Sequence, residues 1–441
     1  MFVSLTVVLI SALCLASGQK PLFGSQSPFP RKTVCFFNAK NAHRLNLQTS
    51  DLMEAARFCN FLVYGYATVD FDDHKIRAGD EDLDIKRDNF RAVTDLRLRN
   101  RGLKVLLSVG GYMNDDTETY MKILEDTDHR EKLVKSAVRL VNEFNFDGLD
   151  LAWRFPMIKV SKNRSLIGSF WHKTKKVFGA HDYKDDRIDE HRDQFTALVR
   201  RLKDKLGSKM LTITQLPNVN ASSYFDIKLL DNYVDQVHLM AFDFHAANRY
   251  KYVADHSNPL YPLSGRNSQE CVDSVVRHWV HHNIPKDKLV LIVSSHANAW
   301  VIADNKKDDW GYPPLEAESP TTPTEITNMA GFYAYHEICK RLRTEGLDKK
   351  SPASYLKKYS DSSANALYAY RSPVSSEDSY GVWASYEDTE SVKAKRKYVV
   401  DNLLGGIGIS DLSDDDFSGS CPGSKKFHLL QSLGHDLHFV V

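Results

Sequence analysis

Two carboxylates, Asp147 and Asp150, stand in the stretch FDGLDLAWRFP that runs from Phe146 to Pro156. Acids placed together on one strand are a common means of moving a proton onto a substrate and holding it. In a strand, side chains at i, i+2 and i+4 share a face. Asp150, Ala152 and Arg154 therefore point one way, and Leu149, Leu151 and Trp153 the other. Further acids at 152 and 154 would continue the series, but an alanine and an arginine stand there. Alanine offers no polar group, and a guanidinium stays protonated at any working pH. The stretch reads either as a catalytic strand whose chemistry has been removed, or as acids that cap turns and pair with a buried arginine.

What would position such a strand is written along the chain. Short apolar, β-rich runs recur as TVCFF (33–37), FLVYGY (61–66), KVLLSVGG (104–111), FDGLDLAW (146–153), MLTITQL (210–216), QVHLMAF (236–242), LVLIVSS (289–295) and LGGIGIS (404–410). Between most of them lie segments with apolar residues at three- and four-residue spacing, such as 89–100, 130–144 and 193–206. Eight near-continuous hydrophobic strands alternating with helices predict parallel βα units closed into an α/β TIM (β/α)8 barrel, with an open doubly wound sheet as the other solution. In a barrel, the polar face of the 150/152/154 set looks inward near the C-terminal mouth, where barrel active sites lie. Two gaps are too long for a simple repeat. Residues 157–192 form an insertion after the fourth strand. Residues 303–385 are long enough for an inserted small α+β subdomain, with GFYAYHEICKRL ordered and NALYAY and YGVWASY as strands.

Lys+Arg is 58 and Asp+Glu 57 in 441 residues, so net charge points to neither nucleic acid nor an anionic membrane. The basic runs WHKTKK (171–176) and KAKRK (393–397) read as solvated faces. The apolar opening MFVSLTVVLISALCLASGQ ends in small residues and predicts a signal peptide over 1–18, hence a secreted, extracellular chain without membrane insertion. Cys14 would leave with it. Cys35, Cys59, Cys271, Cys339 and Cys421 remain, at most two bridges and one thiol, in an oxidising compartment. Asn163 and Asn220 head glycosylation sequons. No cysteine or histidine spacing implies a metal or a cofactor. His172, His181, His191, His281 and His282 read as surface residues, and the glycines of SVGG and GGIGIS as close backbone packing at strand ends.

FDGLDLAWRFP resembles the fourth-strand signature DGxDxDxE of family 18 glycoside hydrolases, the chitinases. LLSVGG (106–111) is similar to the family's third-strand SxGG, HLMAFDF (238–244) to its MxYD, GGIGISDLSDDDF (405–417) to its last-strand element, and AYHEIC (334–339) to the YxEIC of its inserted subdomain. The resemblance spans roughly residues 30–430. Those enzymes use substrate assistance, an exception to the two-carboxylate scheme. The sugar's N-acetyl oxygen attacks its own anomeric carbon, a Glu protonates the leaving oxygen, an Asp orients the acetamide, a Tyr holds its carbonyl and an indole forms the floor. Carried onto this chain, the resemblance puts these roles at Arg154, Ala152, Phe242 and Ser410, none of which has the needed group, while Asp147, Asp150 and Asp243 are retained. It implies a chain without hydrolase activity, in which Arg154 pairs with Asp150 and Asp243.

Among inactive relatives the chain looks most like the imaginal disc growth factors, with the degenerate strand and the basic, aromatic insertion. That resemblance implies a secreted glycoprotein and developmental growth factor. It would promote proliferation, polarisation and motility of imaginal disc cells with insulin-like signalling, through an unidentified cell-surface receptor. It also implies bridges Cys35–Cys59 and Cys339–Cys421, leaving Cys271 unpaired. Two other readings stand beside it. One is a lectin for chitin or another glycan, with Trp153, Trp171, Trp300, Trp310 and Trp383 as candidate stacking surfaces. The other is a residual hydrolase that uses Asp147 or Asp150. The insertion, with Trp171, His172, Lys173, Lys175 and Lys176, is expected to cover the groove, present a recognition surface or form a plain loop.

Overall fold

The computed structural model describes residues 32–434, apart from 46, 48, 112–116, 159–183, 303–310, 343–354, 374–379 and 424. The expected leader, Asn163, Trp171 and Trp310 lie outside the described residues. The eight apolar runs form β1 (Thr33–Asn38), β2 (Phe61–Val69), β3 (Lys104–Gly110), β4 (Gly148–Ala152), β5 (Met210–Gln215), β6 (Gln236–Met240), β7 (Leu289–Ser294) and β8 (Gly406–Ser410). All pair in parallel in the order β1-β8-β7-β6-β5-β4-β3-β2, and β1 pairs back onto β2. That closure excludes the open doubly wound sheet and makes the chain a TIM barrel.

The period of the sequence explains which faces meet. In helix Ile188–Leu206 the buried set is His191, Phe195, Thr196, Leu198, Val199, Leu202 and Leu206, a stripe at three- and four-residue spacing. Helix Thr127–Glu143 buries Leu133, Val134, Ala137, Leu140 and Val141, and its start is fixed by Asp126, which accepts from Asp128 N at 2.7 Å and His129 N at 3.0 Å. Each large apolar side chain so buried contributes about 1.5–3 kcal/mol. Trp153 sits against helix Thr117–Glu125, edge-on to Tyr120, and helix Ile188–Leu206, tilted against Phe195. Trp153 thus faces outward and Asp150 inward, as strand parity requires. The helix begins at Ile188, inside the insertion expected to end at 192.

A second, antiparallel sheet leaves the barrel at its mouth. Strand His296–Ile302 follows β7 almost directly, ahead of the expected boundary at 303. It pairs with Ser319–Pro320, Phe332–Ala334 and Gly381–Ser385, and the sheet continues through Ala366–Arg371 to Lys357–Asp361. Its own core contains Trp300, Trp383, Tyr368 and Tyr370. Disulfide Cys339–Cys421 ties helix Tyr335–Arg341 to the segment after β8, and Cys35–Cys59 links β1 to the turn before β2. Both bridges are those the resemblance implies. Cys271 is free and buried at the head of helix Val272–His281, where burial raises its thiol pKa. Among the described residues no helix is long and apolar enough to cross a membrane.

Candidate functional site at the barrel mouth

Asp150 is fully buried inside the barrel and is surrounded by donors. Ser108 Oγ donates to one oxygen at 2.7 Å and Thr212 Oγ1 to the other at 2.6 Å, while Thr214 Oγ1 reaches both at 2.9 and 3.0 Å. His238 Nδ1 lies 3.1 Å from one of the same oxygens. These partners come from β3, β5 and β6, each at an inward-facing position. The carboxylate has little capacity left with which to orient a substrate.

Asp243, just past β6, is held from the other sheet. His296 Nε2 lies 3.0 Å from both carboxylate oxygens and Asn298 Nδ2 donates to Oδ1 at 2.6 Å. His296 and Asn298 share one face of the strand that leaves the mouth, so strand parity again delivers both groups to one acid. Burial alone would lower the His296 pKa; the facing Asp243 charge and hydrogen bond, with Asp414 and Asp411 further off, outweigh it and raise it. His296 also stacks on Phe332, with centroids 4.4 Å apart, and meets Phe242 edge-on.

Arg154 is 7% exposed and donates from Nη1 to the carbonyl of Gly111. The expected ion pairs of Arg154 with Asp150 and Asp243 are not found among the described residues: the hydroxyls and His238 take the first acid, and His296 and Asn298 the second. Gly110 and Gly111 of SVGG are glycines for a steric reason. At φ +100° a Cβ on Gly110 would lie 2.3 Å from the Ala152 carbonyl oxygen, and at φ +87° one on Gly111 would lie 2.5 Å from the Tyr66 ring. Removing those atoms lets β3, β4 and Tyr66 close together at the mouth.

What remains open there is a cavity of about 30 Å³, lined by Tyr66, Phe242, His296, Ser410, Asp411 and Asp414 among others. Of the two carboxylates among these residues, Asp411 has its pKa pushed up to about 6 by burial against the opposing bonds of Ser413 and Asn38. Its oxygens are turned to the backbone: Oδ2 accepts from Asn38 N at 2.6 Å, and Oδ1 from Ser413 N at 2.8 Å and Ser413 Oγ at 2.6 Å. Asp415 and Asp416 likewise serve the chain itself, accepting from Leu429 and Leu430 N and from Ser420 and Cys421 N.

Asp147 is absent from this site. It precedes β4 at the opposite, N-terminal end of the barrel, where it accepts from Arg97 Nη1 at 2.9 Å and Lys104 Nζ at 3.2 Å. The residual-hydrolase reading through Asp147 has no geometric basis. The stacking surfaces expected at Trp153, Trp300 and Trp383 are likewise missing, since all three are exposed by 1% or less. His191 is buried rather than solvated, with Nδ1 2.8 Å from Asp185 and Nε2 3.1 Å from Glu125. In KAKRK, Lys393 pairs with Glu390, Lys397 with Asp401, and Lys395 is buried on Glu387. Asn220 is exposed and caps helix Ala221–Tyr224 by accepting from Ser222 N. His296 and Asn298 went unnoticed in the sequence; the alternation in SHANA directly after β7 was their one signal.

The model of the glycosyl hydrolases family 18 matches residues 32–415. The chain is 36% identical to chitinase-like protein EN03 of Bombyx mori over 431 residues, covering 96% of this chain and 97% of that protein. It is 34% identical to imaginal disk growth factor 6 of Drosophila melanogaster over 446 residues, covering 97% and 98%. The solved structure of human YKL-39, a pseudo-chitinase with retained chitooligosaccharide binding properties, superposes with a TM-score of 0.71 at 21% identity, covering 91% of this chain and 98% of that one.

Proposed function

Because the chain belongs to the glycosyl hydrolases family 18, we propose that it is a secreted, chitinase-like growth factor that keeps the family's barrel without its hydrolysis. The observation that carries this reading is the buried guanidinium of Arg154 at the position where the family signature has its proton donor. A general acid supplies about 10²–10⁴-fold of rate, and a fixed cation also opposes the positive charge that develops on the sugar. Ala152, Phe242 and Ser410 remove the orienting carboxylate, the hydroxyl and the indole floor. In this reading residues 1–18 are cleaved as a signal peptide, the barrel spans 30–430, and Asn163 and Asn220 carry glycans. The relative named imaginal disk growth factor 6 supports a role in proliferation, polarisation and motility of imaginal disc cells, in cooperation with insulin-like signalling and through a cell-surface receptor.

The test is a proliferation assay of purified protein on imaginal disc cells, with and without insulin; no response at any dose contradicts the growth-factor reading. The second reading, a lectin, is favoured by one observation, the chitooligosaccharide binding named for YKL-39. Against it stands the burial of Trp153, Trp300 and Trp383, the candidate stacking surfaces among the described residues. Titration with labelled N-acetylglucosamine oligomers decides: saturable binding supports the lectin, and no binding at millimolar sugar eliminates it.

A further inference from the structure

The charges of this nearly neutral chain are unevenly placed. Six buried acids, Asp150, Asp243, Asp411, Asp414, Asp415 and Asp416, lie inside the barrel or past the strand ends of its mouth, while others such as Asp84, Asp255, Asp273 and Glu387 are buried elsewhere. At the other end, three cations crowd one carboxylate. Arg97 and Lys104 both contact Asp147, and Lys209 donates to the neighbouring Phe146 carbonyl at 2.5 Å. Burial lowers the Lys209 pKa, and Arg97 and Lys104 add to that against the pull of Asp147. Arg99 and Arg101 are exposed on the turn that leads into β3, next to Lys104, whose side chain is half exposed. Helix C-termini at this end of a barrel carry partial negative charge and account for some basic residues. Asp147 takes Arg97 and Lys104, and Asp235 takes Lys203 beside Lys209, so the charge in excess of that need rests on the exposed Arg99 and Arg101 and the half-exposed Lys104.

We propose that the N-terminal end of the barrel, presenting Arg99, Arg101 and Lys104 beside the Asp147 cluster, is a docking surface for a sulfated glycan. Planar guanidinium groups bind sulfate-like oxyanions through paired donors, and clustered ammonium groups add charge. The choice of an extracellular sulfated polymer over nucleic acid rests on the secreted reading above; the binding measurement does not depend on it. This surface lies at the opposite end of the barrel from the mouth, and so from any sugar site there.

The test uses the full chain on immobilised heparin, with retention measured against salt. Wild type is expected to bind in a salt-dependent manner. The variant Arg99→Ser/Arg101→Ser/Lys104→Ser is expected to elute at lower salt, its log–log salt slope falling by roughly one for each cation removed. An equal change of charge on another exposed face, Lys132→Ser/Lys135→Ser/Arg139→Ser, is expected to leave retention unchanged. Arg99→Ser/Arg101→Ser, which spares every contact of Asp147, serves if the triple variant does not fold. Equal loss in both triple variants, retention that vanishes only on excision of 160–187, or binding to phosphatidylserine vesicles without binding to heparin would each overturn the assignment.

Discussion

Asp150 and Asp147 belong to one short signature yet live in opposite worlds. Asp150 is dry, saturated by three hydroxyls and an imidazole inside the barrel. Asp147 sits at the solvent edge, clamped by Arg97 and Lys104. The difference teaches that retention of a residue type says little about what it does. At the mouth, hydroxyls compensate a buried charge and fix the geometry of four strands. At the other end, Arg97 and the half-exposed Lys104 answer a largely buried carboxylate at the barrel's rim, through an interaction that water and salt weaken.

The sharpest break of that comparison is Asp150→Ala, which strands the donors of Ser108, Thr212, Thr214 and His238 in the barrel interior. It is expected to cost about 3–5 kcal/mol in chemical denaturation; a loss below ~1 kcal/mol would mean the mouth is no more tightly built than the surface. Asp411→Asn comes next. The folded pKa of about 6 exceeds the ordinary 3.8, so the folded state binds the extra proton. The associated stability is full below the unfolded pKa and is lost as pH rises through about 6. Relative to wild type, the variant should therefore gain about 2 kcal/mol between pH 4 and pH 7; parallel stability curves would contradict it. His296 runs in the same direction, since its raised pKa makes its contribution complete below about 6.5 and lost above its folded value. The smallest effect is expected from Lys104→Ala, ~0.2–1 kcal/mol and vanishing at high salt. A larger, salt-independent loss would place the basic end among the structural elements.

The barrel was legible because each strand is an apolar run and each helix an amphipathic stripe, signals set by local periodicity. Strand parity also placed Asp150 inward and Trp153 outward correctly. Parity did not find the partners of the acids, because those depend on which strands meet. Asp150 is satisfied across three other strands, and Asp243 by His296 and Asn298 on a second sheet whose return to the mouth no local pattern encodes. Expecting Arg154 to neutralise both acids was reasonable from charge alone, but among the described residues hydroxyl, imidazole and amide donors contact them instead. His191 shows the same limit, since its acids Asp185 and Glu125 come from before its helix and from another helix.

Hydrolysis tests the central claim most directly. Purified protein is incubated with a chromogenic chitobioside beside Arg154→Glu and a matched blank. The account predicts release at the blank rate from wild type, and no enzyme-like rate from Arg154→Glu either, since Ala152, Phe242 and Ser410 remain. Turnover by the wild-type chain at an enzyme's pace, surviving repurification, would contradict it.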